Sequence, residues 1–247
     1  MTAEKSLDLE HISYETGGFI SANKNIFNNL NLTNNTKYIL EESVKGTPII
    51  KIGNNYPKIM IVAGIHGNEL APQISALNLI DQIHDLNLLG TVYIVPFACP
   101  KASMLNSRHF DGGDLNRLAH IEGSVSNLIL EKAIELDVSS IGDFHSSAPN
   151  SNPGKEGIFC TQVPTPGSFS LADFIAKATN SEKILYPSAG IPFKGALEDE
   201  ANLRGIPSVT CEVLSAIGYA NENICNRSIS QMKAFMKYYG LLDRYIK

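Results

Sequence analysis

No apolar run in this 247-residue chain approaches the roughly 20 residues that a bilayer-spanning helix needs. The stretch from Met1 to Glu10 is charged and has no apolar segment from which a signal peptide could be built. A cytoplasmic protein is the expectation. Cysteine is scarce: Cys99, Cys160, Cys211 and Cys225 stand far apart with no C-x-x-C pair. That spacing argues against a thiolate zinc site and, without a secretory signal, against a disulfide framework, so four buried thiols are expected. A basic cluster is also missing. Lysine and arginine total 20 against 25 acidic residues, a net charge of -5, and they are scattered along the chain. Nothing here offers the electrostatic footprint of a nucleic-acid partner. There is no internal repeat or low-complexity segment, and the only candidate linker, Pro149 to Gly154, reads better as a loop. With 43% hydrophobic residues the chain is expected to fold as one soluble globular domain over 1–247.

What the chain does contain is an alternation of strand and helix signals. The first fifty residues are Asn-rich, with turn signals at Gly17-Gly18 and Asn34-Asn35, and are expected to form a peripheral hairpin region that ends in a strand near Thr47 to Gly53. Beyond it, Lys58 to Ala63 predicts a strand, Ala71 to Leu86 a helix with Pro72 in its first turn, and Thr91 to Phe97 a second strand. Nearly continuous apolar strands in a strand, helix, strand order point to a parallel sheet covered on both faces. Lys101 to Leu118 has no clean period and should be a long surface excursion. A helix around Val125 to Leu136, strands over Val138 to Phe144, Gly157 to Gln162 and Val209 to Leu214, and a helix over Ser168 to Thr179 capped by Ser168 follow. Pro192 to Arg204 should be helical in part. The chain closes on an amphipathic helix whose apolar face, Ile224, Ile229, Met232, Phe235, Met236, Tyr239 and Leu242, is expected to be core.

In a parallel sheet the ligand crevice lies beyond the carboxyl ends of the strands, so polar residues just after strands carry the most information. His66 and Glu69 follow one predicted strand in Gly64-Ile65-His66-Gly67-Asn68-Glu69, and His145 ends another in Asp143-Phe144-His145-Ser146. Two imidazoles and a carboxylate suit a divalent ion such as zinc, and three protein ligands leave a position open. Glu212 lies in the otherwise apolar strand Ser208 to Val213, where an ionised carboxylate is costly unless it is paired or faces a polar cleft. It could accept a proton from an attacking water; the bland alternative is a buried salt bridge to a residue such as Arg204. The excursion supplies Arg108 and Asp114-Leu115-Asn116-Arg117. Arg108 could stabilise a developing oxyanion, and Asn116 with Arg117 could hold a substrate carboxylate through paired donors; a solvated loop tied by Asp-Arg pairs is the alternative.

This ordered set of motifs, from Gly64-Ile-His66-Gly-Asn-Glu69 through Arg108, Asp114-Leu-Asn116-Arg117 and Asp143-Phe-His145-Ser to Cys211-Glu212-Val, resembles the zinc carboxypeptidase superfamily. Within it the chain is similar to the deacylase branch of succinylglutamate desuccinylase and aspartoacylase. The resemblance implies a three-layer α/β/α sandwich of the phosphorylase/hydrolase-like type with a mixed, mostly parallel sheet. It implies one zinc ion per chain on His66, Glu69 and His145, Glu212 as general base, Arg108 as carbonyl polariser, and Asn116 with Arg117 as a carboxylate clamp. The implied substrate is a small molecule or peptide with a free carboxylate. Only residues 213–247 follow Glu212, short for the C-terminal β-domain of aspartoacylase-like enzymes, so the chain is equally similar to compact carboxypeptidases and murein-peptide amidases. The tyrosine that closes over substrate in digestive carboxypeptidases has no assignable position; Tyr186 and Tyr219 are its nearest candidates. A silent carboxylate-binding protein on the same fold and a serine hydrolase using Ser146 or Ser147 are the competing readings, the latter without a Gly-x-Ser-x-Gly elbow.

Overall fold

The runs Thr47 to Ile52, Lys58 to Ala63 and Thr91 to Val95 are largely apolar and buried along almost their whole length, and a sheet of such strands needs helices over both faces. The computed structural model, which describes residues 7–242, has this layered arrangement. Its strands are β1 (Asp8–Ser13), β2 (Thr47–Ile52), β3 (Lys58–Ala63), β4 (Thr91–Val95), β5 (His109–Phe110), β6 (Gly113–Asp114), β7 (Ser140–Ser147), β8 (Gly157–Val163), β9 (Glu182–Ser188) and β10 (Ser208–Leu214). Its helices are α1 (Lys24–Phe27), α2 (Asn34–Ser43), α3 (Leu70–Ile83), α4 (Pro100–Met104), α5 (Val125–Glu135), α6 (Gly167–Thr179), α7 (Leu197–Leu203) and α8 (Glu222–Tyr238).

Eight strands form one mixed sheet in the order β1-β2-β4-β3-β7-β10-β8-β9. Its centre, β4-β3-β7-β10, is parallel, while β2 and β8 join antiparallel on either side. On one face α3, α6 and α8 bury Ile59, Ile61, Phe144, Val209 and Cys211. On the other, α5 and α7 cover Met60, Val62, Tyr93, Val95 and Ile141. The result is the expected α/β/α sandwich.

Strand periodicity of two then decides where the polar residues go. In β7 the even-numbered Phe144 faces the α3 and α8 side, so Asp143 and His145 face α5 and α7. In β10, Cys211 and Val213 belong to the first side, which sends Thr210 and Glu212 to the second. The parallel register sets Glu212 directly beside His145 and Thr210 beside Asp143. A short row of polar side chains therefore emerges at the carboxyl ends of two central strands.

Several expectations change in detail. Among the described residues of the first fifty there is no tight hairpin: β1 pairs with β2 across two helices, and β2 is bonded to β4 in the main sheet. Ile20, Ile26 and Ile39 from this region are buried in the main core. Ser168 does not cap α6, whose N-cap position is Pro166. Its hydroxyl instead donates to the Ser208 carbonyl at 2.6 Å and accepts from the Thr161 N–H at 3.2 Å, tying α6 to β10 and β8. The 101–118 excursion is partly structured, with α4, the β5-β6 pair and a 3-10 turn that buries Leu115 and Asn116. The four cysteines are free and buried, and among the described residues no helix is long and apolar enough to cross a membrane.

Candidate metal centre

The loop after β3 is shaped by two glycines. Gly64 takes a φ of +76°, a left-handed conformation that a Cβ would strain. At Gly67 an added Cβ would lie 2.1 Å from the Ala102 carbonyl carbon, so only glycine lets the loop press against α4. Gln73, one turn into α3, donates its amide N–H groups to the carbonyls of His66, Gly67 and Glu69, the last at 2.7 Å. These bonds satisfy backbone groups that would otherwise be orphaned in a buried loop. Glu69 is the N-cap residue of α3, yet its side chain makes no cap. It turns toward the histidines instead.

There the carboxylate of Glu69 meets both imidazoles. Oε1 lies 2.8 Å from His66 Nδ1, and Oε2 lies 2.8 Å from His145 Nδ1 while accepting from the Ser146 N–H at 3.0 Å. One donor atom from each of the three residues falls within 4.8 Å of the others, and all three residues are buried. The far ring nitrogens face acids as well: His66 Nε2 is 2.8 Å from Asp114 Oδ1, and His145 Nε2 is 2.8 Å from Asp143 Oδ2. An imidazole whose outer nitrogen is held by a carboxylate presents its inner nitrogen as a basic ligand. The donor set, two Nδ1 atoms and a carboxylate with an aspartate behind each ring, fits a zinc ion.

Electrostatics follow this crowding. Burial works against the charge of Glu69, but His66 and His145 outweigh it and hold the carboxyl well below its usual range. Burial also opposes charge on His145, and there Asp143 and Glu69 win, raising it well above the ordinary histidine value. Asp114 is likewise held low, with His66 and Arg108 overcoming its burial. Glu212 goes the other way. Burial first, and then the negative charge of Glu69, push it up to about 8. Its Oε2 has no hydrogen-bond partner. The alternative partner Arg204 is occupied at the surface, where it pairs with Glu131 at 3.4 Å.

A cleft of about 260 Å³ opens over these groups and is lined by His66, Glu69, Arg108, Asn116, Arg117, His145 and Glu212 among others. All seven residues singled out in the sequence therefore meet on one cavity. Arg108 donates from Nε to Asp114 at 3.0 Å and from Nη1 to Glu69 Oε1 at 3.3 Å, with its side chain 40% exposed toward the cleft. Asn116 is more committed than its expected clamp role required. Its Oδ1 accepts from the Leu197 N–H at 2.9 Å, and its Nδ2 lies 3.2 Å from His145 Nε2. Asn116 and Asp143 make opposite demands on that nitrogen, a lone pair against a proton. The closer and charged partner, Asp143, favours the N–H form, which leaves Asn116 Nδ2 free to donate elsewhere. Arg117 stacks its guanidinium 5.2 Å from the centre of the Phe193 ring.

Other residues were not foreseen. Phe159, Phe193, Glu198 and Thr210 line the same cleft, and Asn68 contributes a buried Oδ1 with no partner. Glu198 could have drawn notice as an acid on the apolar side of a short helix, whereas Phe159 and Phe193 look like ordinary core in sequence. Neither Tyr186 nor Tyr219 is among the described residues that line the cleft. Tyr186 stacks behind the wall on Phe159, 5.6 Å between ring centres. Ser147 Oγ is tied to Ser151 at 3.0 Å and to the Gly154 N–H at 2.9 Å. Among the described residues neither Ser146 nor Ser147 is hydrogen-bonded to an imidazole.

Comparison with known proteins adds to this geometry. The profile of the family described as Succinylglutamate desuccinylase/Aspartoacylase catalytic domain matches residues 55–128, a span that includes His66, Glu69, Arg108, Asn116 and Arg117. No curated protein sequence matches. Among solved structures, the succinylglutamate desuccinylase/aspartoacylase of Rhodobacter sphaeroides has a TM-score of 0.63 at 19% identity, with 81% of this chain and 62% of that one covered. The product-bound ectoine utilization protein of Ruegeria pomeroyi gives 0.65 at 18% identity, covering 81% and 64%. The tripeptide-bound cell shape determinant protein of Helicobacter pylori gives 0.60 at 14% identity, covering 78% and 55%. The chain thus spans between 55% and 64% of the length of these three structures. The family match and the shared fold together support the kinship its motifs suggested, with the zinc carboxypeptidase-like deacylase branch of succinylglutamate desuccinylase and aspartoacylase.

Proposed function

We propose that the chain is a zinc-dependent hydrolase that cuts an amide bond in a substrate bearing a free carboxylate, either an N-acyl amino acid or the C-terminal end of a peptide. One observation carries the reading: donor atoms of His66, Glu69 and His145 lie within 4.8 Å of each other, with Glu212 beside His145 in register. When bound there, zinc would polarise a carbonyl oxygen and make a water more acidic. The chain's own groups do the rest. Glu212 accepts the proton of the attacking water and later returns it to the leaving amine. It can do so only when ionised, and engaging Glu69 as a ligand removes one of the causes that hold its proton on. Arg108, partly exposed at the cleft, supplies N–H donors for an oxygen that gains charge. Arg117, close over the Phe193 ring and with Nη1 donating to the Asn116 carbonyl, offers its remaining N–H donors to the substrate carboxylate, with Asn116 setting its neighbours in place.

The family match and the fold support a hydrolase of deacylase or peptidase type, and the product-bound and tripeptide-bound neighbours are consistent with a small or peptidic substrate. A murein-type peptide amidase is the variant of this reading that the tripeptide-bound neighbour favours. Replacing Glu212 by Gln should lower turnover at least about a hundredfold while zinc content, measured by elemental analysis, stays at one per chain. Turnover that survives the substitution sinks the assignment. Hydrolysis of N-acyl amino acids compared with C-terminal dipeptides by the zinc-loaded protein then separates deacylase from peptidase.

A further inference from the structure

One acid in the cleft has no part in the hydrolysis. Glu198, the second residue of α7, is only 2% exposed yet lines the cavity. Asn202 Nδ2 donates to its Oε1 at 2.8 Å, and the other charges that act on it, Asp199 and Asp143, are both negative. Burial and these two neighbours press its carboxyl well above the ordinary range. A buried acid is normally matched by a cation or left out of the interior. Here no cation of the described residues is among the groups that act on Glu198, and the residue lines the cleft.

The surroundings specify the shape of the missing group. Phe159 and Phe193 line the same cavity, their ring centres 6.1 Å apart and nearly perpendicular. Tyr186 backs both rings and fixes them. Thr210 stands beside Phe159 in the antiparallel register of β10 and β8 and adds a hydroxyl. An aromatic wall beside a carboxylate suits an apolar stem that ends in a positive charge. Arg117, which we assign to the substrate carboxylate, lies 5.2 Å from the centre of the Phe193 ring and lines the same cleft.

We infer that the part of the cleft bounded by Phe159, Phe193 and Glu198 seats a positively charged side chain, so that the amino acid held at its carboxylate by Arg117 is basic rather than acidic or neutral. This rests on the reading of the cleft as a hydrolase site, and it narrows that reading to substrates built on a basic or diamino acid. An arriving ammonium would favour the ionised form of Glu198 and pair with it, whereas an acidic side chain in the same place would find no cation among the described groups that act on Glu198.

Binding and turnover test the two readings separately. The zinc-loaded protein is titrated calorimetrically with L-lysine, L-norleucine and L-glutamate, and the N-acetyl derivatives of the same three are offered for hydrolysis. Lysine should bind at least about tenfold more tightly than norleucine, with glutamate weakest, and Glu198→Gln should reduce the lysine-to-norleucine ratio by about the same factor. The Gln amide keeps the bond from Asn202, and the wild-type comparison stands even if the variant does not fold. Equal binding of the three, tighter binding of glutamate, or a ratio unchanged in Glu198→Gln overturns the inference. A lysine preference with no hydrolysis of these derivatives or of C-terminal dipeptides ending in lysine supports the inference and sinks the hydrolase reading alone.

Discussion

At the scale of single residues, what sets this cleft apart is the number of carboxyl groups crowded around two imidazoles. Asp143 shows how much rests on one side chain. It is fully buried, 2.8 Å from His145 Nε2, and neither of its oxygens has an aligned hydrogen bond. A negative charge at that distance favours the proton on the outer nitrogen, which would leave Nδ1 for the proposed metal. Asp143→Asn removes that charge, and zinc affinity measured by chelator competition should fall by about 10- to 100-fold. An unchanged affinity would mean that His145 needs no such partner. The candidate metal ligands were legible in the sequence because His66 and Glu69 directly follow an apolar strand and His145 lies near the end of another strand. Asp143 was visible only as part of a motif: the period of two puts it on the same face as His145, but nothing in a linear reading says that the two side chains will meet.

At the scale of elements, the strands of the parallel centre were readable from their apolar runs, whereas β9 and α2 were not. The edge strand β9 alternates exposed and half-buried residues and carries Pro187, a pattern that sequence does not separate from a loop. In α2 the Asn-rich start hides a cap. Thr33 accepts from the Thr36 N–H at 3.1 Å, but the groups that make it hold come from α3, where Asp81 accepts from the Thr33 hydroxyl at 2.8 Å. A tertiary partner of that kind leaves no local signature. The join between α7 and β10 is of the same type. Asn202 donates to Glu198 and to the Ser208 carbonyl at 3.0 Å, and accepts from the Ser208 N–H at 3.1 Å. Asn202→Ala would strand several buried groups at once, and each costs about 1–3 kcal/mol when left unpaired. Urea unfolding should therefore show a loss of at least about 2 kcal/mol. A loss within about 0.5 kcal/mol, the range of ordinary surface substitutions, would show that α7 is anchored by packing alone.

At the scale of the whole molecule, buried acids with raised pKa values set how stability depends on pH. Glu198 lies well above its usual value, and Asp199 is raised by burial. A carboxyl raised in the folded state binds its proton more tightly there than in the unfolded chain. Its contribution is therefore complete at low pH and is lost as pH rises through the folded value. Glu198→Gln has no proton to lose at this site. Between about pH 5 and about pH 8 its melting temperature should improve steadily relative to the wild type. A difference that stays flat over that range would mean that Glu198 titrates as it does in the unfolded chain. The cleft is also divided along the chain. The proposed ligands and base come from the loop that follows β3 and from β7 and β10, whereas Phe193 and Glu198 arrive on the stretch that leads from β9 into α7. That stretch is laced to the Arg117 turn by the Leu197 N–H on Asn116 and by the Ala119 N–H on the Gly195 carbonyl at 2.9 Å. On the proposed roles, exchanging the 189–198 segment, which carries Phe193 and Glu198, would redirect side-chain preference while His66, Glu69, His145 and Glu212 keep their places.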